Sequence, residues 1–208
     1  MNLLLGGTTP NKPPEKWMKR YLKPIIIGFS LFAALCLTII QSGSDNGLSL
    51  TTAKEILVDI NKRMYNELDR SWFVTITLAL FDLKKNTVKF CRAGHLPILT
   101  ATNGTVESYK SQGIGVGLEK GIVFEQSLAE QEIILKPGQL FAFVTDGITE
   151  AMNENNELFG EQKLTELLLH RSQSRSSDIV NEIWSAVNTF RGSAEVNDDM
   201  TMVVVKVS

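Results

Sequence analysis

The chain has 208 residues, of which 43% are hydrophobic and 21% are charged, and its formal net charge is −2 at pH 7. This length and composition are typical of one globular domain with a sizeable core and leave little room for a second full domain. Because basic and acidic residues are mixed along the chain, a nucleic-acid footprint is not indicated, and the expected partners are proteins or small phosphoesters. The two cysteines, Cys36 and Cys91, lack metal-ligand spacing, which indicates a reducing compartment and predicts a cytoplasmic protein without disulfides.

The first distinctive segment is the apolar, uncharged stretch from Pro24 to Ile40. We predict a loose, divergent N-terminal segment over residues 1–29 and a folded domain over residues 30–208. The preferred interpretation of the apolar stretch is a buried helix that starts near Ser30. Its buried face would carry Leu31, Ala34, Leu35 and Thr38. The alternatives are a membrane anchor, since the length approaches the lower limit for a bilayer-spanning helix, and a cleaved signal peptide.

The elements that follow alternate from a helix to a run of strands and back to helices. A capping box formed by Thr52 and Glu55 predicts a helix over residues 52–68. Runs rich in β-branched and aromatic residues predict the strands. These strands cover residues 73–82, 87–93, 96–101, 105–110, 122–128, 132–135, 140–145 and 202–207. Two further helices are predicted over residues 160–170 and 177–190. Antiparallel strand runs between helices predict an α+β sandwich.

Two acidic clusters lie at the ends of predicted strands. Thr145-Asp146-Gly147 follows one apolar strand, and Asn197-Asp198-Asp199-Met200-Thr201 enters the last strand. Carboxylates gathered at strand ends commonly hold hard divalent cations. Taken alone, an Asp-Gly pair after a strand is usually a turn, and an Asp-Asp pair before a strand is usually a solvated edge or a cap.

A series of short motifs runs in a fixed order from about Leu31 onward. They are Ala33-Ala34-Leu35, Glu55-Ile56-Leu57 with Asn61, Phe73-Val74-Thr75, Ala93-Gly94-His95-Leu96-Pro97, Gly115-Val116-Gly117-Leu118, Lys136-Pro137-Gly138-Gln139, Thr145-Asp146-Gly147-Ile148-Thr149-Glu150-Ala151, Leu158-Phe159-Gly160 and Asp198-Asp199-Met200-Thr201. In this order and spacing, the motifs resemble the SpoIIE/RsbU-type branch of the PPM metal-dependent protein serine/threonine phosphatases.

The resemblance implies an αββα-type sandwich of two antiparallel sheets flanked by helices, with two Mn²⁺ or Mg²⁺ ions held by acidic residues at one edge. In that family a metal-bound water attacks the phosphorus of phosphoserine or phosphothreonine, so no catalytic residue separate from the metal site is expected. Mapped onto this chain, Asp146 and Asp198 take ligand positions, Gly147 frees the backbone to turn beside the metal, and Asp199 is the alternative ligand. The implied partner is a phosphorylated regulatory protein of the anti-sigma antagonist type.

Two acidic elements of that family are missing near the start of the chain. Residues 1–23 contain no aspartate, and Ile25 stands where the family has the aspartate of a D-x-x-G-H-G-like motif. We therefore expect an incomplete domain that lacks the first strands of the family fold, binds metal weakly and turns over poorly. A complementing N-terminal fragment is a further expected partner. The alternatives are a non-catalytic pseudophosphatase that serves as an interaction module and a membrane-anchored protein with a degenerate phosphatase domain.

Two other features are interpreted as structural. His95, one of two histidines, is expected to fix its loop by hydrogen bonding rather than to act as a general base. The glycine-rich residues 113–117 lack P-loop spacing and a following lysine, so no nucleotide or other organic cofactor is expected.

Overall fold

The fold is given by a computed structural model, which describes residues 2–7, 34–41, 52–69, 72–172, 174–196 and 198–207. Within these ranges the strands are β1 (Asn2–Gly7), β2 (Ala34–Gln41), β3 (Thr75–Asp82), β4 (Thr87–Ala93), β5 (Ile98–Thr102), β6 (Thr105–Tyr109), β7 (Glu130–Ile134), β8 (Leu140–Val144) and β9 (Thr201–Lys206). The helices are α1 (Ala53–Met64), α2 (Gly121–Ser127), α3 (Asp146–Thr149), α4 (Gly160–Arg171) and α5 (Ser176–Arg191).

The described strands form two sheets. The first sheet has the order β1-β9-β8-β5-β6, and the second has the order β2-β3-β4-β7. Every pairing is antiparallel except that of β2 with β3, which is parallel. The predicted sandwich of two antiparallel sheets with flanking helices is therefore confirmed, with one parallel pair at the edge of the second sheet.

One buried apolar layer lies between the two sheets, and one more lies between each sheet and the helices that cover it. Phe81 and Phe90 of the second sheet meet Phe141 and Val203 of the first, and the rings of Phe81 and Phe141 lie edge to face at 5.4 Å between centroids. The opposite faces of the sheets bury further apolar residues against α1 and α2 on one side and against α4 and α5 on the other. Strand β8 is buried along its whole length, because its side chains alternate between the inter-sheet layer and the helix layer.

The N-terminal capping box of α1 is present as predicted. The Thr52 hydroxyl accepts a hydrogen bond from the Glu55 amide at 3.1 Å, and the Glu55 carboxylate accepts one from the Thr52 amide at 2.8 Å. These contacts satisfy amide groups at the start of α1 that have no partner inside the helix. The helix ends at Met64, a turn earlier than the sequence predicts.

The helix predicted from Ser30 is wrong where the structure describes it. Residues 34–41 form β2, which pairs in parallel with β3 from Ala34 opposite Thr75 to Gln41 opposite Asp82. An apolar run with β-branched residues fits a buried strand as well as a buried helix. In this chain the pairing with β3 favours the strand. The described part of the chain holds no helix long and apolar enough to cross a bilayer. Most of the stretch from Pro24 to Ile40, named as a possible membrane anchor, lies outside the described residues. Ser30 and Ile25 lie outside the described residues.

Two other predictions differ from the structure. Residues 121–127 form the helix α2 rather than a strand, because Phe124 and Leu128 both enter the core beside α1 at helical spacing. Residues 2–7 form the edge strand β1 against β9, where the sequence predicts a loose segment. This strand contains no acidic residue, so it supplies a sheet edge without a metal ligand. The domain boundary near residue 30 stays a prediction, since residues 8–33 lie outside the described ranges.

Candidate active site

The first acidic cluster forms a tight exit from β8. The strand ends at Val144, Thr145 remains extended, and α3 begins at Asp146. The Asp146 carboxylate accepts a hydrogen bond from the Gly147 amide at 3.1 Å, and its carbonyl accepts one from the Glu150 amide at 2.7 Å. A helix of this length is too short for hydrophobic periodicity to reveal. The turn leaves the Asp146 side chain half-buried.

Thr145 joins the two acidic clusters. Its amide donates to the Thr201 carbonyl at 3.0 Å, and its hydroxyl donates to the Asp199 carbonyl at 2.9 Å while accepting from the Thr201 amide at 2.9 Å. The side chain is buried, so these bonds are shielded from water and both hydroxyl functions are used. Thr145 therefore sets the spacing between the turn that carries Asp146 and the segment that carries Asp198. The Thr145-Asp146-Gly147 motif is visible in the sequence, but the contacts of Thr145 with Asp199 and Thr201 join segments that are distant along the chain.

Gly147 is required by close packing rather than by its backbone angles. A Cβ atom there would lie 2.6 Å from the Asp199 carbonyl oxygen and 3.3 Å from that of Asp198. Its φ is not among the positive values found for other glycines, so the predicted reason, a free turn beside the metal, is replaced by contact between the two clusters. Any side chain at position 147 would push the Asp198 segment away from Asp146.

Asp146 and Asp198 line one cavity of about 360 Å³. Its other lining residues are Gly147, Glu150, Ala151, Met152, Arg191, Glu195, Val196 and Met200. Asp198 is half-buried, and its carboxylate accepts a hydrogen bond from the Asp199 amide at 2.7 Å. Asp199 is exposed and does not line the cavity. The structure thus brings together Asp146, Gly147 and Asp198, and it separates the alternative ligand from them.

The donors in this cavity fit part of the ligand set of a hard cation. Aspartate oxygens are suitable ligands for Mg²⁺ or Mn²⁺. Among the described residues, however, no group of three or more histidine, cysteine, aspartate or glutamate side chains is placed to hold one metal ion. Glu150 and Glu195 line the cavity but are exposed. The described donors therefore fall short of a centre for two ions.

His95 lies apart from the residues that line this cavity. Its side chain is 4% exposed, and its Nδ1 lies 3.3 Å from the Thr75 hydroxyl. Burial, helped by the nearby Arg92 guanidinium, lowers the pKa of His95 to about 4. The Arg92 guanidinium also donates to the His95 carbonyl and, at 2.9 Å, to the Ser111 carbonyl. The imidazole thus has one hydrogen-bond contact, with Thr75, while its Nε2 is buried without a partner among the described residues. The lowered pKa keeps the ring neutral near pH 7, and the loop-fixing role of the side chain stays a prediction.

Comparison with known proteins places most of the chain in one family. The family described as Stage II sporulation protein E (SpoIIE) matches residues 28–208. Phosphoserine phosphatase RsbU of Bacillus subtilis (strain 168) is 24% identical over 185 residues, which cover 87% of this chain and 53% of RsbU. Stage II sporulation protein E of the same organism is 26% identical over 171 residues, covering 81% of this chain and 19% of that protein. The chain spans about half, or less, of the length of these curated relatives.

Solved structures show the same fold. The SiaA-PP2C domain of Pseudomonas aeruginosa matches with a TM-score of 0.67 at 17% identity, over 76% of this chain and 62% of that one. The PP2C phosphatase domain of SpoIIE from Bacillus subtilis, with a fragment of its regulatory domain, matches with a TM-score of 0.59 at 23% identity, over 74% of this chain and 44% of that one. The likeness establishes a PP2C-like fold for this chain.

Proposed function

The chain belongs to the SpoIIE family, and from this premise we propose that its PP2C-type domain is a metal-dependent serine/threonine phosphoprotein phosphatase domain with impaired turnover. The observation that carries the proposal is that Asp146 and Asp198 line one cavity. They reach it from the ends of β8 and β9, two neighbouring strands of the first sheet. Thr145 and Gly147 hold the two chain segments together, so the carboxylates are positioned before any ligand arrives.

The proposed impairment follows from charge. Two divalent cations bring four positive charges, and Asp146 with Asp198 would offset only two of them. Glu150 and Glu195 also line the cavity, but no three acidic side chains of the described residues are placed to hold one ion. The side chain of Ile25, at a position where the resemblance implies an aspartate, has no oxygen to offer as a ligand. We therefore expect Mn²⁺ or Mg²⁺ to bind weakly in this chain. Asp146 and Asp198 would hold the ion, and the chemistry it would supply is polarisation of phosphate and water oxygens.

The proposed substrate is a phosphorylated regulatory protein of the anti-sigma antagonist type, in the cytoplasm. Support comes from family membership and from the similarity to a relative whose name is phosphoserine phosphatase RsbU. The cavity has a volume of about 360 Å³, which is large enough for a phosphoryl group and the side chain that carries it. Such a pocket would admit one phosphorylated side chain while the rest of the partner stays on the surface.

Hydrolysis of p-nitrophenyl phosphate and of a phosphoserine peptide, with added Mn²⁺, tests the proposal. We expect a low Mn²⁺-dependent rate that Asp146→Asn abolishes. Asp59→Asn is the matched control, because Asp59 lies on α1 in an exposed pair with Arg63 and should leave the rate unchanged. Calorimetric titration with Mn²⁺ should show weak binding that Asp146→Asn removes.

Two results would contradict the proposal in different ways. Robust turnover that Asp146→Asn abolishes would show that the domain is not impaired. Absence of both Mn²⁺ binding and hydrolysis would contradict metal-dependent catalysis and favour the non-catalytic interaction module.

A further inference from the structure

Arg191 contributes the positive charge to the lining of the cavity that holds Asp146 and Asp198. It is the last residue of α5, and Gly192 ends the helix with a φ of 60°. The Arg191 side chain is half-buried. Its position depends on how the chain returns from α5 toward the first sheet, so nothing in the local sequence marks it.

The guanidinium of Arg191 is held in place without being neutralised. Its Nη2 donates a hydrogen bond to the Ala194 carbonyl. Among the described residues, the ion pairs within 4.0 Å join other side chains: Arg63 with Asp59, Lys85 with Asp82, Lys89 with Glu132, and Arg175 with Asp178. Although four carboxylates line the same cavity, none of them lies within that distance of Arg191. A half-buried cation in this state keeps its charge available for a ligand.

The loop that holds Arg191 is itself fastened to the loop after α3, which contributes Met152 to the same cavity. The Glu154 carboxylate accepts hydrogen bonds from the Ser193 amide at 3.0 Å and from the Ser193 hydroxyl at 2.6 Å. Glu154 follows Met152, another lining residue, on the loop after α3. These bonds fix the Ala194 carbonyl and therefore the Arg191 side chain that donates to it. A guanidinium fixed in advance loses less conformational entropy when a ligand binds.

We propose that Arg191 contacts the phosphoryl group of a phosphoserine or phosphothreonine side chain bound in this cavity. The inference rests on the proposed function and assigns the residue that would recognise the substrate's phosphate. A guanidinium offers several N–H donors in a plane that matches phosphate oxygens, and such charged hydrogen bonds are stronger than neutral ones. Met152 and Met200, both half-buried, also line the cavity, and apolar surroundings strengthen an electrostatic contact.

The test compares phosphate binding by the full chain and three variants. The probes are inorganic phosphate, a phosphoserine peptide and the same peptide with serine, each titrated calorimetrically with and without Mn²⁺. Arg191→Gln should lower the affinity for inorganic phosphate and for the phosphoserine peptide about tenfold or more. Arg191→Lys keeps the charge but loses the planar arrangement of donors. It should lower both affinities by a factor several times smaller than that of Arg191→Gln. Arg63→Gln is the control, because Arg63 lies on α1 with its side chain 75% exposed, and should change nothing.

The affinity for Mn²⁺ separates recognition from a purely structural role. We expect Arg191→Gln to retain the wild-type affinity for Mn²⁺ and the wild-type unfolding temperature within a few degrees. Parallel losses of phosphate affinity, Mn²⁺ affinity and thermal stability in both Arg191 variants would show a structural role and overturn the proposal. If Arg191→Gln does not fold, Arg191→Lys carries the same comparison.

The outcomes also separate this inference from the proposed function. Unchanged phosphate affinity in Arg191→Gln, beside Mn²⁺-dependent hydrolysis by the wild type, would overturn the inference and leave the function standing. Phosphate binding that depends on Arg191 in a wild-type chain without Mn²⁺ binding or hydrolysis would support the inference and contradict the function. A wild-type chain that binds neither phosphate nor the phosphoserine peptide would overturn the inference regardless of the hydrolysis assay.

Discussion

The loop at residues 113–117 and the turn at residues 145–147 are built from similar parts and have different consequences. Each contains a glycine at which a Cβ atom would meet backbone: the Arg92 carbonyl oxygen at 1.8 Å from Gly113, and the Asp199 carbonyl oxygen at 2.6 Å from Gly147. Each is also fastened by one buried polar side chain that bonds to the backbone of a distant segment. Asn61 does this for the loop, and Thr145 does it for the turn.

The difference lies in which charges remain unpaired. The loop carries no ionisable side chain, and Asn61 closes it by donating to the Glu119 carbonyl at 2.9 Å and accepting from the Gly117 amide at 2.8 Å. The turn leaves the Asp146 carboxylate at a cavity that it shares with Asp198. The same means of fastening a chain segment therefore completes a core in one place and presents a charged site in the other.

Gly113→Ala should have the largest effect on stability. The added methyl group would overlap the Arg92 carbonyl oxygen. Strand β4 and the loop must therefore move apart, which should lower the free energy of unfolding by about 3 kcal/mol or more. The free energy of unfolding in denaturant measures this. Gly104→Ala is the control, because a Cβ there meets nothing within 4 Å although its φ is +78°; about 1 kcal/mol is expected from that strain. Equal costs for the two variants would remove close packing as the role of Gly113.

Asn61→Ala should destabilise the protein by about 2 to 3 kcal/mol, because it leaves the Gly117 amide and the Glu119 carbonyl without their partner in a partly buried region. Thermal and denaturant unfolding measure the loss. The matched control is the exposed Asn66 on the segment after α1, where alanine should change the stability by less than about 0.5 kcal/mol. A similar small change for Asn61→Ala would show that the loop holds itself closed.

His95, whose neighbour Gly94 donates an amide hydrogen bond to the Gly113 carbonyl at 3.0 Å, should make the stability of this region depend on pH. Because its pKa is lowered from 6.5 to about 4 in the folded chain, the unfolded chain binds a proton over a pH range in which the folded chain does not. The stability that the neutral His95 ring contributes to the folded state is fully present above pH 6.5 and is lost as the pH falls toward 4. We expect a loss of about 2 kcal/mol between pH 7 and pH 5 from this group.

Unfolding curves of the wild type and of His95→Gln, measured across that pH range, isolate the contribution of His95. The variant should lack this part of the slope, whereas His170→Gln, a change on α4, should retain it. Parallel curves for wild type and His95→Gln would contradict a buried, neutral His95.

Thr145→Val should have the smallest effect on stability, about 1 to 2 kcal/mol, because the shape is kept while the hydroxyl bonds to the Asp199 carbonyl and the Thr201 amide are lost. Its effect on the site should be larger than its effect on the fold, since Asp198 is no longer tied to the turn of Asp146. Mn²⁺ titration should show weaker binding in Thr145→Val and near-normal binding in Thr145→Ser. Wild-type Mn²⁺ affinity in the valine variant would mean that Gly147 packing alone sets the spacing.

Elements with strong local patterns were predictable from the sequence. Strand β4 has the predicted bounds, and α5 differs from the prediction by one residue at each end, because alternation and helical spacing are visible within each segment. β2 was not predictable, since its short apolar run has no period and its parallel pairing with β3 is a tertiary contact. For α2, a short run with Phe124 and Leu128 at helical spacing was outweighed by β-branched neighbours.

The site divides in the same way. Asp146, Gly147 and Asp198 lie in two sequence motifs that follow or precede strands, and the structure brings them to one cavity. Arg191 and Glu195 reach that cavity only through the return of the chain after α5, and no local pattern reports where a helix end meets a distant loop. The partnership of Thr145 with Thr201 is likewise a contact between distant segments.

The pairing of β1 with β9 has a consequence for synthesis on the ribosome. Asn2 lies opposite Lys206 and Gly7 lies opposite Thr201, so β1 is synthesised long before the strand with which it pairs. Strands β3 and β4 form a local hairpin and can associate early, whereas the pairing of β1 with β9 closes a loop that contains all the other described elements. The nascent chain should therefore emerge with its β8 edge uncovered, open to chaperones or to mispairing, until β9 has left the exit tunnel.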